Sequence, residues 1–152
     1  MDDGLDQKKV WEHYDQLELI NAGGILYAGS LTLTNSIVAN SQKGDADILK
    51  YGNGTLKLTG NNIVEDGTAE DAWTGDPGLK SLANNGGYTY THALSPGSMA
   101  IDAGSNPALP NDTLDLDKDG NLAEKLPFDQ RNLKRINNGI VDIGAFETQT
   151  VI

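Results

Sequence analysis

An internal repeat constrains this chain more than any other feature of its sequence. "LTLTNSIVAN" at 31–40 lies over "LKLTGNNIVED" at 56–66, with Leu31, Leu33 and Thr34 falling on Leu56, Leu58 and Thr59 at an offset of 25 residues. After one inserted residue, Ile37 and Val38 fall on Ile63 and Val64, and upstream Ile25-Leu26 matches Ile48-Leu49. Alternation with period two in "LTLT" and "LKLT" sends the leucines to one face and Thr or Lys to the other, as in a half-buried strand. A unit this short cannot hold a strand–helix–strand crossover. It predicts one coil of a β-solenoid, in which each strand stacks in parallel on its counterpart in the next coil. The amides at the corners, Asn35 and Asn40 in one unit and Asn61 and Asn62 in the next, suit bends. Asn tolerates the left-handed backbone, and stacked amides can bond to one another.

The rest of the chain is punctuated rather than periodic. Asn-Gly and Asp-Gly pairs recur at 53–54, 66–67, 119–120 and 138–139 among 18 glycines, and such pairs supply the positive φ of tight turns. Hydrophobic residues make up 38% and aromatic ones only 6%, so the core must be aliphatic. After residue 67 the alternation survives only in "YTYTHAL" (88–94), while "RINNGIVDIGAF" (135–146) reads as two short strands around an Asn-Gly turn. Near the start, Val10, Trp11, Tyr14 and Leu17 share one face of a helical pattern. The expected organisation is one all-β domain: a capping helix or distorted coil over 1–20, β-helix coils over 21–67 and a loop-rich cap over 68–152.

Charge and composition exclude several classes. With 22 acidic against 11 basic residues the net charge is −11, which repels nucleic acid and suits divalent cations. The lack of cysteine removes disulfides, thiol catalysis and cysteine-ligated zinc. No apolar run is long enough to span a bilayer as a helix. The opening "MDDGLDQKKV" is polar and unlike a signal peptide.

In order along the chain, "LTLTNSIVANS", "GNNIVEDG", "DPGLKSLANNGGYTYTHALSPGSMAIDAG", "FDQRNLKRI" and "VDIGAFE" resemble the C-terminal region of bacterial choice-of-anchor Q proteins, over roughly residues 21 to 147. The resemblance implies an extracellular, adhesin-like, right-handed parallel β-helix at the cell surface, contacting glycans or partner proteins. It departs from the family at Tyr88 and Met99, where proline is common, and at Asn132, where glycine is common. The chain stops at "TQTVI" without a sorting tail, so the expectation is a C-terminal fragment or a short stand-alone relative of a secreted protein.

Candidate chemistry centres on "DLDKDGNLAE" (115–124). Asp115, Asp117 and Asp119, followed by Gly120 and Asn121, match the first half of an EF-hand calcium loop. The twelfth position holds Leu126 instead of Glu, and prolines at 107, 110 and 127 oppose flanking helices. The loop is therefore no EF-hand. It is either a calcium loop of another kind, closed by Glu124 or a distant carboxylate and serving as a staple for the cap, or a solvated acidic turn. Asp102, Asp129, Arg131 and Asp142 lie inside apolar motifs, where burial demands partners, so their expected role is structural. The competing enzymatic reading is a calcium-assisted polysaccharide lyase, with Arg131, Lys134 or Arg135 as the base. His13 and His92 stand in no catalytic or metal-binding pattern, and the non-catalytic, adhesive reading is the expectation.

Overall fold

The computed structural model describes residues 22–42, 44 and 46–149, and the capping segment expected over 1–20 lies outside them. Six strands carry the first half: β1 (Ala22–Tyr27), β2 (Ser30–Thr34), β3 (Ile37–Val38), β4 (Ala46–Lys50), β5 (Thr55–Thr59) and β6 (Ile63–Val64). They pair only across the repeat and only in parallel, as β1–β4, β2–β5 and β3–β6. The register follows the repeat residue for residue, with Leu31 on Leu56, Leu33 on Leu58, Ile37 on Ile63 and Val38 on Val64. In the first pair Ile25 meets Ile48, after an irregularity next to Ala22. One three-strand unit thus lies directly on the other, and Trp73 adds a further parallel bridge to Ile63.

Alternation sorts the side chains into two cores. Leu33, Ile48, Val64 and Ala69 are buried together, with Leu31, Leu56, Leu58, Val38 and Ala72 packed around them. Ala69 and Ala72 come from the chain just after β6 and extend this core. On the neighbouring positions of β3 and β6, Ile37 and Ile63 point the other way. They join Leu94, Ala100 and Ile143 in a second core, to which Leu79, Ile101 and Phe146 are added. The second half therefore packs on the outer flank of the β3–β6 pair. Apart from one turn of 3₁₀ helix at Asn106–Ala108, it contains no regular element among the described residues, only isolated bridges such as Leu79 to Leu94 and Ala83 to Thr91. No helix among the described residues is long and apolar enough to cross a membrane.

The strands expected within 135–146 do not form a hairpin. Asn138 and Gly139 take the positive φ of a tight turn (52° and 89°), but the arms diverge. The backbone of Val141 and Ile143 pairs instead with Gly104 and Ala100, through bonds of 2.8 Å each. Val141 and Ile143 are completely buried, so long-range burial outweighs the local turn preference.

One amide joins both halves. Asn35, at φ 44°, is 2% exposed. Its Oδ1 accepts from the backbone N–H of Ser105 (2.9 Å) and Asn61 (3.3 Å), while its Nδ2 donates to the Ser105 carbonyl (3.0 Å). Its own carbonyl accepts from Gly144 N–H at 2.8 Å. The inserted residue of the second unit sits beside it, and a Cβ on Gly60 (φ 64°) would collide with Asn35 Oδ1. At the next position Asn62 Oδ1 accepts from Ser36 N–H (2.9 Å). The corner amides thus bond to backbone rather than to each other. Replacing Asn35 by Ala leaves half-buried backbone groups of Ser105 and Asn61 unpaired, and should cost about 2–4 kcal/mol in urea unfolding followed by circular dichroism. Asn40→Gly, at an exposed corner with φ 56°, should stay within about 0.5 kcal/mol of the parent. Equal losses for the two would remove the hub role from Asn35.

Candidate functional site

The acidic loop is tied at its base. Asp112 N–H donates to the Glu124 carbonyl (2.8 Å), Leu126 N–H donates to the Pro110 carbonyl (3.0 Å), and Asn111 bridges Lys125 in antiparallel fashion. Between these points the chain turns repeatedly on its own carboxylates. Asp115 Oδ1 accepts from Gly120 N–H (3.0 Å), Asp119 Oδ1 from Asn121 N–H (2.7 Å), and Asn121 Oδ1 from Ala123 N–H (3.3 Å). Asp115, Lys118 and Gly120 all have positive φ. Short side-chain acceptors of this kind replace the ladder bonds that a loop lacks.

The turns gather carboxylates into two overlapping sets. Asp115, Asp117 and Asp119 bring one oxygen each within 4.8 Å of the others, and so do Asp112, Asp117 and Glu124, with Asp117 shared. These are arrangements that can hold a metal ion. Asp115, Asp117, Asp119 and Glu124 from the sequence motif all take part, whereas Asn121 uses its oxygen on Ala123. Asp112 was not part of the sequence pattern and is the most buried member, at 1% exposure. Its Oδ2 accepts from Leu116 N–H at 2.7 Å, while Oδ1, like Glu124 Oε1, is buried and accepts no hydrogen bond. Desolvation, with the negative charges of Asp117 and Asp119 next, holds the Glu124 carboxyl above its ordinary range.

A second ionic cluster ties the end of the described chain to the loops beneath it. Asp129 and Arg131 form a buried pair, with Arg131 Nη2 2.6 Å and Nε 3.0 Å from Asp129 Oδ2. The Arg131 guanidinium lies 3.6 Å over the centre of the Phe146 ring and donates to the Glu147 carbonyl at 2.6 Å. Asp129 also accepts three backbone N–H groups, from Arg131, Leu133 and Glu147. Asp142 accepts from Asp102 N–H (2.7 Å) and Thr148 N–H (2.6 Å). Asp102 enters this cluster through its backbone, at φ 50°, with its own side chain exposed. Of the four residues expected to be structural, three are buried and hydrogen-bonded in one cluster.

Glu147 lies at the centre of the cluster, and only its place within "VDIGAFE" hinted at it. At 1% exposure it accepts from Asp142 N–H at 2.8 Å through Oε2. Its Oε1 faces Arg135 Nε at 3.1 Å without hydrogen-bond geometry, while Arg135 Nη2 donates to the Gly144 carbonyl. Arg135 therefore offsets only part of the burial cost. Desolvation dominates, the Asp142 N–H and Arg135 pull the other way, and the carboxyl is pushed up to about 8. A carboxyl raised in the folded state binds a proton more tightly folded than unfolded. Its contribution is complete below the unfolded value near 4.5 and is lost as pH climbs through the folded value. Stability should thus decline between about pH 5 and pH 8, by at most about 1.4 kcal/mol per unit from this group. In thermal melts Glu147→Gln should flatten that part of the profile, and a mutant profile as steep as the parent's would assign the slope elsewhere.

The groove on the cap side is lined by Leu82, Tyr90, His92, Gln130, Arg135 and Phe146 among others, and has a volume of 560 Å³. Tyr90 is 62% exposed at its edge, and His92 Nδ1 is held 2.7 Å from the Lys80 carbonyl. No family model, curated protein or solved structure matches this chain, so the chemistry of these sites has to follow from their own residues.

Proposed function

We propose that the chain is a non-catalytic module of a secreted or cell-surface right-handed parallel β-helix. In this reading a calcium ion staples its cap, and the cap-side groove takes glycan. The parallel, repeat-matched strand pairs support the architecture, and the motif order resembling choice-of-anchor Q proteins supports the setting. The observation that carries a binding role is the make-up of the groove. Its described lining contains Tyr90, His92 and Gln130 but no Asp or Glu, whereas most glycoside hydrolases set a pair of carboxylates across the bond. Arg135 is already committed to Gly144 and Glu147, and Arg131 to Asp129. A tyrosine face with polar neighbours matches a sugar ring, which carries an apolar C–H face and hydroxyls at its rim.

A glycan array probed with the full chain tests this, followed by titration of the strongest ligand. Tyr90→Ala should weaken binding at least tenfold with little change in melting temperature, because the ring is largely exposed. A blank array would overturn the glycan role. An unsaturated, ultraviolet-absorbing product from alginate or pectate with calcium would replace it with a lyase.

A further inference from the structure

We infer that the inner ligands of the calcium site are Asp112, Asp117 and Glu124, so that the ion joins the base of the acidic loop to its tip. The site deepens, and depends on, the calcium staple proposed above, and it shifts the anchor away from the alternating aspartates. Asp112 is the reason. A carboxylate that is 1% exposed, with one oxygen bonded to Leu116 N–H and the other accepting nothing, has lost its hydration without compensation. Glu124 Oε1 is in the same condition. Asp112, Asp117 and Glu124 each bring one carboxylate oxygen within 4.8 Å of the others. Three carboxylates that close repel unless a cation lies between them. Lys125, the chain neighbour of Glu124, gives its ammonium to the Leu109 carbonyl at 2.8 Å, and neither ion pair among the described residues involves the loop.

The donor set is all oxygen, which selects hard cations over zinc or copper. Irregular loop geometry with a mixture of Asp and Glu suits calcium, which accepts six to eight oxygens flexibly, better than the rigid octahedron of magnesium. Asp115 and Asp119, which share Asp117 with the inner set, make up the second group of carboxylates. Because the two halves of the loop approach only when its base is closed, the bound ion would report a folded base.

Calorimetric titration of metal-stripped full-length chain with calcium chloride, and separately with magnesium chloride, tests the assignment. The parent should bind one calcium, and magnesium at least tenfold more weakly. Asp112→Asn keeps an acceptor for Leu116 N–H yet should weaken calcium at least tenfold, as should Glu124→Gln. Asp115→Asn should change it less than threefold. In chelator the Asp112→Asn variant should melt no lower than the parent, since removing one of three close charges relieves repulsion; a plain structural carboxylate would instead lose stability. If Asp112→Asn and Glu124→Gln bind like the parent while Asp115→Asn fails, the ion belongs to the outer aspartates. The inference is then wrong and the calcium staple survives. A parent that binds no calcium at millimolar concentration overturns both.

Discussion

Beyond β6 the described residues hold no regular element but one turn of 3₁₀ helix, so their buried backbone N–H groups need acceptors that no strand supplies. Carboxylates provide them. Asp129 takes three backbone amides, Asp142 two, and Glu147 one. In β4 and just after β6, Asp47 and Asp66 accept each other's N–H groups in the same way. Each of these oxygens offsets a desolvation cost that would otherwise fall on a bare amide. Asp47, Asp112, Asp129, Asp142 and Glu147 are buried, so part of the acidity of the chain is internal scaffolding rather than surface charge. The same requirement explains why the Asp129–Arg131 pair tolerates burial: its remaining lone pairs are bonded, which is the condition under which an ion pair survives away from water.

The two halves are complementary rather than sequential. The two repeat units bury leucines between their strands, and adjacent positions on β3 and β6 turn Ile37 and Ile63 outward to receive the second half. A strand with both faces apolar is stable only when something covers each face. The irregular segment does that on one side, and its own folding is organised by the isoleucines it meets.

The strand register was legible in the sequence because a repeat with period-two alternation leaves little freedom. A slip of one residue would turn Leu33 and Leu58 to solvent. The docking of the second half was not legible, since it depends on contacts such as Asn35 with Ser105 and with Gly144, far apart in the chain. Local preference misled at 135–146, where the Asn138-Gly139 turn formed but burial of Val141 and Ile143 drew the arms apart. In the acidic loop the alternating aspartates were plain to see. Asp112 was not, because closure of the loop base brings it beside Glu124. An extended aspartate series at 112, 115, 117 and 119 was the available signal. Glu147 looked like an ordinary motif residue, and only its depth of burial distinguishes it.

A stack whose coils touch only their neighbours can melt piecemeal from either end, with each coil's stability set locally. The position of Asn35 denies this chain that behaviour. The corner of the first repeat unit is completed by residues from beyond the second unit, at 105 and 144, so neither unit is finished until the distant segment has arrived. Unfolding should consequently be all-or-none rather than graded. Folding carries the delay that long-range closure imposes, with the nascent strand pairs exposed until then.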